Sequence, residues 1–240
     1  MEKLRVDKMI ASTGKYSRKE VKLLIRQGLV LADGLPVGAP EEKYDPETVE
    51  LIVKGEVLTL RAHTWVMLHK PAGYLSATED GRGATVLDLL PEELRRQKLF
   101  PVGRLDKDTE GLLLLTNEGK LAHDLLSPRH HVDKVYYART AGQLKEEACQ
   151  AFRQGLVLGD GLRCLPAELE ILSASEQGSE ALVTVREGKF HQVKRMLAAQ
   201  GTPVLYLKRM RMGNLTLDPG LRPGEYRLLT AEEIEGLRKR

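Results

Sequence analysis

The sequence predicts an α+β protein of two domains. Three observations carry that expectation. Val21, Leu24 and Ile25 recur at the i, i+3, i+4 spacing of one helical face. Leu112 to Leu115 is an unbroken apolar run, as in a strand buried on both sides. Short strand and helix patterns follow one another without the regular alternation of a doubly wound fold. Composition permits such a core: of 240 residues, 42% are hydrophobic and 30% charged. No apolar run approaches the roughly 20 residues of a bilayer span. The start from Met1 to Asp7 lacks the apolar stretch of a signal peptide, so a cytoplasmic protein is expected. Cys149 and Cys164 match no metal or redox spacing and are expected to be reduced and packed as small hydrophobes.

Residues 1–60 read as a small first domain. Leu4, Met9 and Ile10 belong to a short helical pattern that stops at Gly14. Ser17-Arg18-Lys19-Glu20 fits a capping box, in which the serine hydroxyl and the glutamate carboxylate each satisfy the other's backbone amide. The helix it opens runs to Gly28, a residue suited to the left-handed C-terminal stop. Its outer side carries Arg18, Lys19, Lys22 and Arg26. Leu29 to Gly34 is a strand running into an Asp-Gly turn, and Val49 to Val53 is a further strand.

Residues 59–64 read as a linker to a second domain at 65–240. There Trp65 to Leu68, Leu112 to Leu115, Val135 to Ala138, Ala181 to Val185 and Val204 to Leu207 are strand candidates. Thr85 to Leu90, Asn117 to Leu126 and Phe190 to Gln200 are helical, and Thr230 with Glu233 caps a last short helix.

Net charge is only +3, but its distribution is uneven. Residues 1–28 hold eight Lys/Arg against three Asp/Glu, residues 29–60 two against seven, and residues 186–211 seven against one. Two basic zones far apart in sequence suit a polyanionic partner whose phosphates both can neutralise. The plain alternative is a pair of solvated faces.

The segment Gly103 to Gly119 holds the densest cluster of chemistry. Asp106, Asp108, Glu110 and Gly111 mimic positions one, three, five and six of an EF-hand loop, but the bidentate glutamate needed at position twelve falls on Asn117. No metal is therefore expected. Taken alone, Asp106 is a loop carboxylate of the kind that forms turns.

Gly103-Arg104-Leu105-Asp106, followed by Thr109, Gly111 and Leu112 to Thr116, resembles the active-site motif of RNA pseudouridine synthases. His69 to Tyr74 resembles the opening strand and turn of that family, Lys134-Val135-Tyr136 its Lys-x-Tyr motif, and Glu187 to Met196 its closing helix. The first 60 residues, through Arg5, Val6, Asp7, Ser17, Arg18, Glu20, Ile25, Gly28, Val30 and Gly34, resemble the S4 RNA-binding domain. Leu125 to Val132 and Leu165-Pro166-Ala167 are most similar to the RsuA type, which modifies 16S ribosomal RNA.

The resemblance implies a catalytic domain with a mixed, mostly antiparallel sheet flanked by helices, behind an S4-like module. It implies isomerisation of uridine to pseudouridine in 16S ribosomal RNA, of the uridine-516 class, without cofactor. Asp106 would be the essential carboxylate, Lys194 its basic partner with Arg195 the neighbouring candidate, and Tyr136 the face for the target base. Arg104 would fill the gap that base leaves. Arg5, Lys15, Ser17, Arg18, Lys19, Lys22, Arg26, Arg104 and Arg195 are the expected RNA contacts, and the zone from Arg186 to Arg211 would line the cleft. His191 reads as a structural, hydrogen-bonding histidine, and Tyr137 points to the sheet face opposite Tyr136. The partner would be ribosomal RNA in a small-subunit assembly intermediate, met by a monomer with neither membrane nor nucleotide cofactor. The carboxylate can attack the sugar, attack the base or remove a sugar proton, and the sequence leaves these routes open. Three rival readings stand: a synthase of a sister branch acting on 23S ribosomal RNA, a non-catalytic assembly factor that only binds RNA, and a DNA-binding regulator. The strands that follow the N-terminal helices disfavour the last.

Overall fold

Ser17 accepts a hydrogen bond from the Glu20 amide, and the Glu20 carboxylate accepts one from the Ser17 amide at 2.6 Å. That box starts the helix Arg18–Arg26 where the sequence places it. The computed structural model describes residues 3–81, 83–127, 130 and 132–239. These fall into two units: residues through Thr64 with Leu90–Leu99, and Trp65–Leu89 with the residues from Phe100 onward.

In the first unit, helices Val6–Ser12 and Arg18–Arg26 cover a four-stranded antiparallel sheet ordered Leu35–Pro36, Val30–Ala32, Leu51–Val53, Glu56–Leu58. Val6, Met9, Ile10, Val21, Leu24, Ile25, Val30 and Leu51 form its core. Asp33 and Gly34 both take positive φ, as a two-residue hairpin turn needs, and Lys54-Gly55 repeats the device. Leu4 differs from expectation: it lies in a two-residue strand paired with Lys43–Tyr44, and the helix begins after it.

By contact, segment 90–99 groups with the residues through Thr64 in the first unit. Gly14 approaches the Glu93 carbonyl so closely that a Cβ there would lie 1.9 Å from the oxygen. Gln97 donates to the Thr13 carbonyl at 2.7 Å, and Arg96 sits 3.7 Å from Glu20. Such pairings join residues distant in sequence and leave no local pattern.

The second unit is built on a mixed sheet with seven strands in its main path, ordered Glu168–Ser175, Gly178–Val185, Lys134–Ala141, Val204–Met212, Glu110–Thr116, Trp65–Lys70, Tyr226–Leu228. Every pairing is antiparallel except that of Val204–Met212 with Glu110–Thr116. Helices Glu146–Gln154 and Gln192–Ala199 close one part of the core, around Phe152, Val183 and Met196. Gly119–Leu126 and Ala231–Arg238 close another, around Trp65, Leu112 and Leu114. All four leucines of the apolar run are fully buried. Both cysteines are buried and unpaired, and burial raises their thiol pKa. The stretch expected as a helix near Thr85 is a 3₁₀ turn, Val86–Leu89. Helix Glu146–Gln154 and strand Glu168–Ser175 lie outside the elements expected from sequence.

Candidate active site

The sheet register brings the motifs together. Gly111 pairs with Arg209, and Arg209 with Tyr136, so three adjacent strands carry the base of the Asp106 loop to the tyrosine. Only glycine fits at 111: its φ is +104°, and a Cβ would lie 2.2 Å from the Arg209 carbonyl oxygen. Strand Gly178–Val185 pairs on the other side of Lys134–Ala141 and feeds the loop and helix that carry Lys194.

The Asp106 loop is held through its backbone. Lys70, fully buried, donates from Nζ to the carbonyls of Pro71, Asp106, Lys107 and Thr109 at 2.8–3.2 Å. Burial pushes its ammonium down to about 8. Ser76 Oγ donates to the Leu105 carbonyl at 2.9 Å and accepts from the Leu105 amide at 3.0 Å. The Gly73 amide donates to the Lys107 carbonyl, and Thr109 to that of Asp106. These clamps leave the Asp106 side chain free to face the cleft.

That carboxylate, a quarter exposed, lies 3.0 Å from Lys194 Nζ and 3.5 Å from His191 Nε2. Lys194 also donates to Asp108 at 2.6 Å. Burial pulls the Lys194 ammonium down, but the hydrogen bonds to Asp108 and Asp106 outweigh it and hold the pKa above the ordinary lysine value. The same hydrogen bond holds Asp108 below the usual carboxylate range. Glu110 turns away and accepts from the Tyr206 hydroxyl at 2.7 Å. The EF-hand look-alike thus resolves into two aspartates that share Lys194 and a glutamate held by a tyrosine hydroxyl.

A cleft opens over this pair. Its polar end holds Asp106, Lys194, His191 and Lys189; Tyr136, Val185, Val193 and Leu207 form an apolar side. The arrangement suits a flat heterocycle with a polar edge. Glu187 braces the rim: it accepts from Gln192 Nε2 and the Leu165 amide, each at 2.8 Å, and pairs with Lys189.

The predicted residues do not all converge. Asp106, Tyr136, Lys194 and Arg104 line the cleft. Arg195 instead pairs with Asp160 at 2.5 Å, because it projects from a different side of the same helix. Arg209 is buried and donates to the Leu112 carbonyl, and Arg186 pairs with Asp133 and Glu168. The basic zone from Arg186 to Arg211 therefore lines the cleft only through Lys189, His191 and Lys194. His191, read as purely structural, stands against the carboxylate. Tyr137 meets Tyr206 edge-to-face, away from Tyr136.

In the first unit, Lys15, Arg18, Lys19, Lys22 and Arg26 are exposed. Arg5 is engaged by Asp7 and Glu41, and Ser17 by the capping box. Of the Leu125 to Val132 stretch, Pro128, Arg129 and His131 lie outside the described residues.

The family model for RNA pseudouridylate synthase matches residues 64–199, more than half of the chain, including Arg104, Asp106, Tyr136, His191 and Lys194. This chain belongs to the RNA pseudouridine synthase family. Among relatives, the synthase is 48% identical over 231 residues to an uncharacterized RNA pseudouridine synthase of Bacillus subtilis, covering 96% of this chain and 97% of that one. It is 40% identical over 237 residues to ribosomal small subunit pseudouridine synthase A of Vibrio cholerae, covering 98% and 100%. A crystal structure of a pseudouridylate synthase superimposes on it with a TM-score of 0.67 at 37% identity, covering 98% and 99% of the two chains. The synthase is thus an isomerase acting on RNA, with its mixed, mostly antiparallel sheet shared by that relative.

Proposed function

We propose that this synthase converts one uridine of 16S ribosomal RNA, of the uridine-516 class, to pseudouridine, with Asp106 as its catalytic carboxylate. The observation that carries the reading is the Asp106–Lys194 pair at 3.0 Å in a cleft with Tyr136 on its apolar side. The reaction breaks the bond from C1′ to N1 and makes one from C1′ to C5; a hydrogen leaves C5 and one is gained at N1. It needs no redox partner and no added cofactor. Lys194 sets a positive charge 3.0 Å from the Asp106 carboxylate. Tyr136 offers its ring to the base, and Lys194 keeps Asp106 oriented. The base must leave its stack, at a cost of a few kcal/mol, and Arg104 at the cleft mouth takes the vacated place.

The small-subunit target is supported by the name of the Vibrio cholerae relative, ribosomal small subunit pseudouridine synthase A, at 40% identity over nearly the full chain. The N-terminal unit is read as an S4-like RNA-binding domain, in which the exposed Arg18, Lys19, Lys22 and Arg26 meet phosphates. The synthase acts as a cytoplasmic monomer on a small-subunit assembly intermediate. Pseudouridines are to be mapped in all ribosomal RNA from cells lacking the gene. One site missing from the small-subunit RNA is expected; a missing site in the large-subunit RNA assigns the sister-branch activity instead, and an unchanged map sinks both.

A further inference from the structure

Phe190 is 74% exposed, the most exposed of the large hydrophobic side chains among the described residues. Its ring is not loose. It stacks on His191 with centroids 3.8 Å apart and planes 18° apart. His191 takes a left-handed backbone, φ 49°, at the start of the helix Gln192–Ala199. The same imidazole stands 3.5 Å from Asp106. One face of Phe190 is therefore backed by a residue of the catalytic cleft, while most of the ring is open to solvent.

Phe190 borders a second cleft. Leu75, Ser76 and Ala77 also line it. Arg104, Leu105, Asp106, Lys189 and His191 belong to both clefts, so the two adjoin across the Asp106 loop. Its charged lining is Arg104, Lys107 and Lys189, with His191, against Asp80 and Asp106. A flat, backed aromatic ring with cations around it is the arrangement on which unpaired bases stack while the phosphate runs along the basic side. The mechanism at Asp106 makes no use of it.

We propose that this second cleft is a subsite for the unpaired base next to the target uridine, which stacks on Phe190. Arg104 lines both clefts and marks where the strand passes from one to the other. Phe190 is then a positioning residue, tolerant of base identity because every base presents a π-face. The proposal rests on the reading of the Asp106 cleft as the seat of the target uridine.

The test uses the full-length synthase and the ribosomal RNA fragment it modifies, prepared intact or with an abasic residue immediately 5′ or 3′ of the target. Dissociation constants and single-turnover rates are measured for wild type, Phe190→Ala and Phe190→Trp. On intact RNA, Phe190→Ala is expected to bind between about fivefold and a hundredfold more weakly, and Phe190→Trp like wild type. On RNA abasic at one of the two positions, wild type and Phe190→Ala are expected to bind equally. Equal binding on intact RNA, or the same loss on every abasic RNA, overturns the subsite. Asp106→Asn in the same series separates the two readings. If it retains turnover, the Asp106 assignment fails; if it is inactive while the Phe190 coupling is absent, only the subsite fails.

Discussion

Lys70 Nζ lies 3.1 Å from the backbone carbonyl of Asp106, and from the same point reaches the carbonyls of Pro71, Lys107 and Thr109. A buried ammonium thus gathers the loop that presents the carboxylate. Lys70→Met keeps much of the volume but removes the ammonium that donates to those carbonyls. The expected result is a loss of turnover of at least about tenfold with little change in RNA affinity, since a misplaced catalytic group costs rate before binding. A kcat equal to that of the wild type would remove the positioning role.

Asp106→Asn preserves shape and removes the charge. Pseudouridine formation should become undetectable, while RNA binding stays within a few fold. Tritium release from C5-labelled RNA measures the first and filter binding the second. Normal turnover by the purified variant would exclude Asp106 as the catalyst.

Burial pushes Lys134 down to about 8 as well, with the nearby Arg209 adding to the effect. The sign follows from proton counting. Between about pH 8 and the ordinary lysine value the native state holds fewer protons than the unfolded chain, so stability from this group rises with pH. The buried cysteines act in the opposite direction above about pH 9, and Tyr206, pushed up to about 12 by burial and by Glu110, does so above about 10. The lysine contribution is therefore read as a difference. Urea midpoints at pH 8, 9 and 10 should show wild type gaining on Lys134→Met as pH rises; parallel curves would contradict the buried, depressed ammonium.

Arg18 and Lys22 project from the exposed side of the second N-terminal helix. Replacing both with alanine should weaken RNA binding at low salt and lower the slope of log K against log salt by about 1.5, two phosphates' worth. Weaker binding with an unchanged slope would mean that the helix contributes something other than phosphate neutralisation.

Much of this protein was legible in the linear chain because its signals are local. The capping boxes at Ser17 and Thr230, the Asp33-Gly34 turn and the Leu112–Leu115 run depend on residues within a few positions of one another, and each appears in the structure. The candidate cleft residues Asp106, Tyr136 and Lys194 were readable from motifs, and all three line one cleft.

What the chain did not disclose depends on register and on distant partners. A helix periodicity cannot say that Lys194 turns to Asp106 while Arg195, one residue later, turns to Asp160. It cannot tell that His191 backs Phe190 beside the carboxylate, or that segment 90–99 groups with the first unit. Lys70 looks like a strand-end lysine in the sequence and becomes a buried clamp only when strand Trp65–Lys70 pairs with Glu110–Thr116 and brings Gly111 opposite it. Sequence by itself determined which residue types the chemistry uses and the local elements that carry them. Tertiary structure alone decided which charges meet, because that is set by sheet register and burial, where backbone geometry and desolvation select one partner among several.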